Sequence, residues 1–182
     1  MITLNVNPFP VLETERLILR NITEDDVHEM FVLRSSPEMM KYIARPLHKN
    51  EEETLVFIKN IHEGLAKLDF INWAIALKTD NKLIGTIGFY RMQNEHDRAE
   101  VGYMLHTDLQ KKGIMQEALE TVIKYGFTQM NLHSIEAVID PRNKDSENIL
   151  LRNNFIKEAH FKENYFFDGQ YLDSAHYSLL TK

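Results

Sequence analysis

The segment Asp108–Glu120, DLQKKGIMQEALE, combines the residue types of an anion-binding site with the start of a helix. Gln110 and two lysines precede Gly113, and no Ser, Thr, Asp or Asn stands directly before that glycine to cap the helix. The first backbone N–H groups of a helix have no partner within it, and the positive end of the helix dipole favours an anion beside them. Either water satisfies these groups or an anionic ligand does.

The loop itself agrees with a phosphate ligand but does not specify one. Lys111 and Lys112 add positive charge, and Gly113 allows close approach of the backbone or a positive φ. The pattern matches neither GxxxxGKS/T nor GxGxxG, so neither of these nucleotide-binding motifs is present. Taken by itself, a solvated loop explains the segment equally well.

Composition narrows the class of protein. The chain has 182 residues, a net charge of -6 at pH 7, eight histidines and no cysteine. The negative charge argues against sequence-independent nucleic-acid binding, and the lack of Cys excludes disulfides, a Cys nucleophile and thiolate metal ligands. The histidines form no HExxH motif, so we expect no metal. With no recognisable signal peptide or membrane-spanning stretch, we expect one soluble, cytoplasmic domain over residues 1–182.

Hydrophobic periodicity and turn signals predict an alternating set of strands and helices. The strands are expected at Arg16–Ile22, Ile71–Lys78, Lys82–Met92, Asp97–Thr107, Ser134–Asp140, Phe155–Phe161 and Tyr171–Leu180, and the helices at Thr23–Arg34, Asn50–Leu68, Ile114–Met130 and Asn143–Asn153. The three middle strands are joined by short turns and should be antiparallel. The strands Ala99–His106 and Ser134–Ile139 are joined by a helix and should form a right-handed parallel crossover. The expected fold class is α/β (α+β), with one mixed sheet and helices on both faces.

Several motifs occur in the order found in one enzyme family. They are TERLILR (Thr14–Arg20), AEVGYML (Ala99–Leu105), the Gln-x-x-Gly loop (Gln110–Gly113), Asn143 with Ser146, the NNF of Asn153–Phe155, and GQYLDSAHYSLL (Gly169–Leu180). Together they cover nearly the whole chain and resemble the GNAT N-acetyltransferases, more closely their RimJ/RimL-like branch. Two residues depart from the family pattern. Met115 stands where Gly or Ala is usual and is expected to narrow the phosphate cradle, while Asn154 replaces a Gly and tolerates positive φ.

The resemblance implies acetyl-coenzyme A in a gap between the two parallel strands, which splay apart in this family. Its pyrophosphate would be held by the backbone N–H groups of Gln110, Lys111, Lys112, Gly113, Ile114 and Met115. The pantetheine arm would pair with the first of the two strands like an added strand. Backbone groups near Tyr103, Met104 and Leu105 would then reach its amides and the acetyl carbonyl, the latter as an oxyanion contact.

The resemblance also gives roles to polar side chains near Ser146. It places that hydroxyl beside the thioester sulfur, where it can hydrogen-bond the departing thiolate, and it places Asn143 at the pantetheine arm, with Asn148 as a weaker candidate. The alternatives are structural. Ser146 could be an early-turn serine or a cap partner of Asp145, and Asn143 could cap the same helix.

Glu100 is the candidate general base. Its side chain alternates away from Val101, Tyr103 and Leu105, and it could take a proton from the incoming ammonium group, directly or through water. The alternative is an ordinary strand carboxylate that faces water.

Direct attack of an uncharged amine on acetyl-coenzyme A is therefore the expected reaction. A site without a strong base suits an α-amine, whose pKa of about 7.7–8.0 lies below the value of about 10.4 for lysine. This favours a protein or peptide N-terminus as acceptor. A small amine such as a polyamine or an aminoglycoside, or a non-catalytic acyl-coenzyme A-binding module, remain alternatives. A homodimer is possible, and neither nucleic acid nor a membrane is expected as a partner.

Overall fold

The computed structural model describes residues 1–181. Its strands are β1 (Leu12–Glu13), β2 (Leu17–Asn21), β3 (Ile71–Leu77), β4 (Leu83–Gln93), β5 (Arg98–Leu105), β6 (Ser134–Ile139), β7 (Ile156–Phe167) and β8 (Gln170–Leu180), and its helices are α1 (Val27–Ser35), α2 (Glu51–Ala66), α3 (Ile114–Thr128) and α4 (Lys144–Arg152). A short 3-10 turn precedes α1 and another follows β5.

One sheet contains all eight strands, in the order β1-β2-β3-β4-β5-β6-β8-β7. Within residues 1–181, β5 and β6 are parallel neighbours, and the other neighbouring strands are antiparallel. The parallel pair has three registered positions, from Arg98 with Ser134 to Glu100 with Glu136. Since β5 continues to Leu105 and β6 to Ile139, the strands separate beyond Glu100 and leave a gap in the middle of the sheet. The predicted mixed sheet with a splayed parallel pair is confirmed.

Helices cover both faces of the sheet, as predicted. Leu33 of α1 and Ile58 of α2 pack in one apolar cluster with Ala74 of β3. Val122 of α3 packs in a second, larger cluster with Trp73 of β3. Because successive residues of a strand point to opposite faces, Trp73 and Ala74 assign the two clusters to opposite sides of the sheet.

Strand β3 is buried on both faces, although the alternation of its large apolar residues is typical of a half-buried strand. Ala74 and Ala76 are fully buried, and Ala74 packs in the cluster formed with α1 and α2. Their small side chains allow the helices to pack closely but contribute little to a hydrophobicity pattern, which explains the difference.

Three element boundaries also differ from the sequence prediction. The two-residue strand β1 was not predicted, and β7 extends to Phe167 rather than ending at Phe161. Helix α2 ends at Ala66, so Leu68, which was expected on its apolar face, has a positive φ and is 46% exposed. Asn50 caps α2, because its Oδ1 accepts a hydrogen bond from the Glu53 N–H at 2.9 Å.

Gly85 and Gly88 of β4 lie where the backbones of neighbouring strands approach closely. A Cβ at Gly85 would lie 2.4 Å from the Met104 carbonyl oxygen of β5, and one at Gly88 would lie 2.3 Å from the Ile71 carbonyl oxygen of β3. Larger residues there would push the neighbouring strands away. Gly85 therefore allows β5, which borders the gap, to pair closely with β4, and Gly88 does the same for β3.

Candidate active site

The loop before α3 has the geometry of an anion-binding site. Gly113 precedes the helix with φ +76° and ψ 1°, a left-handed conformation that suits glycine. No side chain caps the helix, and in the described part of the chain no backbone N–H from Lys111 to Gln116 donates a hydrogen bond. The predicted uncapped start is confirmed. A row of free N–H groups at the positive end of a helix suits a phosphate.

Gln110 has a different role from the one predicted. Its backbone N–H donates to the Thr107 carbonyl at 3.1 Å, so it is not free for a ligand. Its side-chain Nε2 donates to the Leu105 carbonyl at 3.3 Å. The available N–H groups thus begin at Lys111, because the 3-10 turn after β5 already uses the Gln110 N–H.

The TERL motif near the N-terminus holds this loop in place. Arg16 Nη1 donates to the Lys112 carbonyl at 2.9 Å, and Arg16 Nε donates to Glu117 Oε2 at 2.7 Å. The Thr14 hydroxyl also donates to Glu117. In a trans peptide the carbonyl and the following N–H point in opposite directions, so the Arg16 contact turns the Gly113 N–H away from β2.

Glu117 stays ionised in this arrangement. Burial alone would raise its pKa, but the hydrogen bonds from Thr14 and Arg16 lower it below the usual value. Its charge therefore keeps the Arg16 side chain in position to bind the Lys112 carbonyl.

Met115 does not narrow the cradle, and that expectation is wrong. Its side chain is 6% exposed and packs in the large apolar cluster beside Ile114 and Ala118. The helix turn directs it inward, while Lys111 and Lys112 remain exposed. At Ile114 and Met115 only the backbone N–H groups are available to a ligand.

Strand β5 presents alternate backbone groups to the gap. The His106 N–H donates to Ile84 next to β4 at 2.9 Å. The N–H and C=O groups of successive residues point to opposite sides of a strand. Those of Met104 therefore also face β4, where Met104 pairs with Thr86, and those of Tyr103 and Leu105 face the gap. Met104 is therefore not oriented to pair with a pantetheine arm as the sequence suggested.

A pair of hydroxyl groups bridges β5 and α4 on one side of the gap. The Tyr103 hydroxyl and Ser146 Oγ are 2.8 Å apart, and Ser146 is 6% exposed. Burial raises the pKa of Tyr103 to about 12, against the opposing effect of its hydrogen bond with Ser146. The phenol is therefore protonated at neutral pH and can donate to Ser146, which leaves the serine proton for another acceptor.

Asn143 caps α4, because its Oδ1 accepts a hydrogen bond from the Ser146 N–H at 3.1 Å. The structural alternative is thus observed, and it orients the turn that carries Ser146. Asn148 is exposed. It is two residues beyond Ser146, and residues at that spacing do not share a helix face. The structure does not bring Asn148 to the hydroxyl pair.

Glu100 lies where the two parallel strands separate. Its Oε2 accepts a hydrogen bond from Arg91 Nη1 at 2.6 Å, and its side chain is 17% exposed. Burial raises its pKa above the usual value, although the charge of Arg91 opposes the shift. It is therefore not the water-facing carboxylate of the alternative interpretation.

Glu136, the neighbour of Glu100 in the parallel register, belongs to an ion-pair network. Its Oε1 contacts His176 Nδ1 at 3.0 Å and Arg98 Nη2 at 3.1 Å. Burial alone would raise the pKa of Glu136, but these hydrogen bonds lower it below the usual value. The two neighbouring carboxylates thus differ in their tendency to hold a proton, and Glu100 is the one with the raised pKa.

A cleft of about 470 Å³ opens beyond the end of β6. It lies between the segment joining α1 to α2 and the β7–β8 hairpin, and its lining is Pro37, Met40, Lys41, Tyr42, Ile43, Ala44, Arg45, Pro46, Leu47, Asp140, Arg142, Tyr165, Phe167, Asp168 and Leu172. Asp140 directly follows β6, and Arg142 Nη2 lies 2.6 Å from its Oδ2. The cleft and Ser146 are therefore joined by one short loop.

Two further observations concern metals and membranes. Within residues 1–181, no group of three or more His, Cys, Asp or Glu side chains is arranged to bind a metal ion. None of the helices there is both long and apolar enough to span a lipid bilayer.

This geometry suits an extended thioester whose phosphate end lies at the start of α3, as in acyltransferases that use coenzyme A. The family model of the acetyltransferase (GNAT) domain matches residues 16–156, and the chain belongs to that family. The prediction of an acetyltransferase with acetyl-coenzyme A as cosubstrate is thereby confirmed.

Individual relatives agree with this membership. The uncharacterized N-acetyltransferase YoaA of Bacillus subtilis (strain 168) is 33% identical over 172 residues, which are 94% of this chain and 97% of YoaA. Spermidine N(1)-acetyltransferase of Escherichia coli (strain K12) is 23% identical over 154 residues, which are 84% of this chain and 80% of that enzyme. The ribosomal α-N-protein acetyltransferase RimL, solved with coenzyme A, has a TM-score of 0.85 at 19% identity, covering 94% of this chain and 98% of RimL. The likeness to the RimL fold agrees with the predicted RimJ/RimL-like branch.

Sequence reasoning missed three features of the site. Thr14 and Arg16 were predicted only as part of a motif, and their contacts with Glu117 and Lys112, 103 and 96 positions away, leave no local signal. Tyr103 was assigned through its backbone alone, and no local pattern relates its hydroxyl to Ser146. The cleft depends on the segment between α1 and α2, which has no regular periodicity.

Proposed function

We propose that the protein transfers the acetyl group of acetyl-coenzyme A to a primary α-amine at the N-terminus of a peptide or protein. The observation that carries this proposal is that the carboxylates at the gap and at the cleft are held in ion pairs. Glu100 is paired with Arg91, and Asp140 is paired with Arg142, so neither is an unpaired carboxylate that could readily deprotonate a strongly basic amine. An α-amine loses its proton near neutral pH far more readily than a lysine or a polyamine amine, whose pKa is about 10.

Each group at the gap has a distinct part in this proposal. The N–H groups from Lys111 to Met115 bind the pyrophosphate. Tyr103 and Leu105 pair through their backbones with the pantetheine arm, and a β5 N–H directed at the acetyl carbonyl stabilises the charge that develops there. The Asn143 amide, whose Oδ1 is used by the cap, keeps its nitrogen for the pantetheine arm.

The transfer itself is a direct displacement. The amine nitrogen forms a bond to the acetyl carbon, and the carbon–sulfur bond breaks. The ammonium proton passes through water to Glu100, and the Ser146 hydroxyl hydrogen-bonds the departing thiolate. Because the chain has no cysteine, a Cys-acyl intermediate is excluded.

The deciding experiment compares acceptor amines at equal concentration. The first is a peptide with a free N-terminus, the second is the same peptide with a blocked N-terminus and one lysine, and the third is spermidine, the substrate named for the Escherichia coli relative. We expect the free α-amine to give the highest kcat/KM, measured by thiol release and located by mass spectrometry. Faster acetylation of spermidine or of lysine would overturn the α-amine assignment. Coenzyme A binding without turnover of any amine would instead support the non-catalytic alternative.

Glu100→Gln is expected to lower kcat/KM for the peptide about 10- to 100-fold at pH 7, at or below the low end for a general base. Since Glu100 must be ionised to accept a proton, the parent enzyme should lose activity as the pH falls through its raised pKa. The variant should lack that loss, and its pH–rate profile should follow the amine alone.

Arg91→Gln is the matched control for Glu100→Gln. It breaks the same ion pair but keeps the carboxylate, and it removes the charge that lowers the Glu100 pKa. The acid limb of the profile should therefore move to higher pH. Equal pH profiles for all three proteins would rule out Glu100 as the base.

A further inference from the structure

Arg34, near the end of α1, carries a guanidinium group that has no carboxylate partner among residues 1–181. Its Nε is 3.4 Å from His48 Nε2 and its Nη1 is 3.6 Å from Met40 Sδ, both long contacts for a charged donor. Its Cζ lies 4.8 Å from the centroid of the Phe57 ring. None of the ion pairs formed within residues 1–181 includes Arg34. A half-buried charge is ordinarily paired, so this stacked guanidinium has donors left for a ligand.

Arg45 and Lys41 add two further cations on the segment between α1 and α2. Burial, and next the charge of Arg45, lower the pKa of Arg34, so Arg45 adds positive charge to the surroundings of Arg34. Arg45 Nη1 donates to the Ala44 carbonyl at 3.2 Å, and Lys41 Nζ lies 5.1 Å from the centroid of the Tyr42 ring. Neither residue belongs to an ion pair within the described chain. Arg34, Lys41 and Arg45 thus form a locally positive cluster in a protein whose net charge is -6.

Two of these cations line the cleft beyond β6, and the third, Arg34, contacts a residue of its lining. Lys41 and Arg45 line it, and so does Met40, whose sulfur contacts Arg34. On the opposite wall, Asp140 is already neutralised by Arg142. Asp168, at the β7–β8 turn, is the other carboxylate of the lining, and one carboxylate does not balance three cations.

We infer that Arg34, Lys41 and Arg45 form an anion-binding subsite in the acceptor cleft, which binds a carboxylate or phosphate group near the amine that is acetylated. The inference rests on the proposed function, because it uses this cleft as the acceptor site. Guanidinium groups recognise carboxylates and phosphates through paired hydrogen bonds, and stacking on Phe57 fixes the orientation of Arg34 before a ligand binds.

The subsite narrows the class of acceptor. An acidic residue shortly after the N-terminal amine would place its anion against the three cations. A polyamine or aminoglycoside would bring further positive charge close to the three cations and would be repelled by them. The protein should therefore prefer acidic N-terminal sequences over neutral and basic ones.

The test uses C-terminally amidated tripeptides with a free N-terminus that differ in one position, occupied by Asp, Asn, Lys or phosphoserine. We expect kcat/KM to be roughly 10- to 100-fold higher for Asp than for Lys, the range for a hydrogen bond to a charged group, with Asn between them. The phosphoserine peptide separates two forms of the site. Activity at or above the Asp level indicates a general anion subsite, and activity between Asn and Asp indicates one shaped for a carboxylate.

Charge reversal at the cleft provides a second, independent measurement. Lys41 and Arg45 are exposed, so the double variant K41E/R45E should fold normally, and it should prefer the Lys peptide over the Asp peptide. Arg34→Gln should lower kcat/KM for the Asp peptide toward the value for the Asn peptide, mainly by raising KM. A melting curve checks that the variant is folded. Lys124→Glu is the control for surface charge, because Lys124 is exposed on α3 across the sheet, and its preference should match the parent.

The outcomes separate this inference from the proposed function. Equal kcat/KM for the Asp and Lys peptides in the parent, or an unchanged preference in K41E/R45E, overturns the subsite but leaves α-amine acetylation intact. A failure to acetylate every peptide, with acetyl-coenzyme A still bound, overturns the proposed function itself. An unstable Arg34→Gln variant leaves the decision to the surface double variant.

Discussion

Ser146→Ala is expected to lower kcat about 100-fold, at the low end for a positioned proton donor, and to change the dissociation constant for acetyl-coenzyme A only a few-fold. Negative charge reaches the sulfur as the carbon–sulfur bond breaks, so a hydroxyl there binds the transition state more tightly than the ground state. Alanine is a good helix former, and the Asn143 cap uses the Ser146 backbone N–H. The fold should therefore survive. Steady-state kinetics and calorimetric binding measure the two effects separately.

Tyr103→Phe tests whether the two hydroxyls act together. If the Tyr103 phenol supports Ser146, the single variant should reduce kcat, and the double variant with Ser146→Ala should be no slower than Ser146→Ala alone. Such non-additivity is expected for residues that act as a unit. Tyr177→Phe is the matched control. The buried Tyr177 hydroxyl donates at 2.5 Å to Glu147 of α4, the helix that also carries Ser146. It should lower stability without changing kcat.

The competing explanation treats Ser146 as a first-turn hydroxyl of α4. It predicts unchanged turnover with a loss of stability of at most about 1–2 kcal/mol. Full activity with a lowered Tm would end the catalytic assignment of Ser146.

Gly113→Val is expected to weaken coenzyme A binding far more than it weakens the fold. Its φ is +76°, which β-branched residues rarely adopt, and a Cβ there would lie 3.4 Å from Arg16 Nη2. The side chain would also stand where the pyrophosphate approaches the backbone. Ligand at about 100 times its dissociation constant stabilises a protein by roughly 2.7 kcal/mol, which for this size is about 5–10 °C in Tm. Coenzyme A should give that shift in the parent and little in the variant.

Gly169→Val separates backbone strain from loss of the cradle. Gly169 also has φ +76°, and nothing lies within 4 Å of a Cβ built on it. Both variants should therefore lose some stability, but Gly169→Val should keep the full coenzyme A shift in its melting curve. If Gly113→Val binds coenzyme A like the parent, this loop is not the phosphate cradle.

The phosphate loop could be predicted because its chemistry is local. A glycine before an amphipathic helix without a side-chain cap already indicates free N–H groups, and Gly113 and its neighbours have that geometry. Met115 shows the limit of local reasoning. Its position in the sequence places it in the loop motif, but only the packing of α3 against the sheet decides that its side chain points into the core.

The acceptor cleft could not be predicted because it depends on contacts between distant segments. Lys41 and Arg45 belong to an irregular segment between α1 and α2, and only the fold brings that segment beside Asp140 and the β7–β8 hairpin. The sequence shows each charge but not which charges lie unpaired together. The Tyr103–Ser146 contact is equally non-local, since the two residues are 43 positions apart and belong to different elements.

The Arg16 contact with Lys112 has a consequence for folding. The two residues are 96 positions apart in the chain, so the contact requires a long loop to close, and non-local contacts of this kind form slowly. During synthesis Arg16 leaves the ribosome long before its partner exists. The loop can reach its binding geometry only once the N-terminal strand has docked beside α3. Affinity for coenzyme A is therefore a property of the fully assembled domain, and an intermediate that contains α3 but lacks docked β2 would present the same residues without the oriented N–H groups.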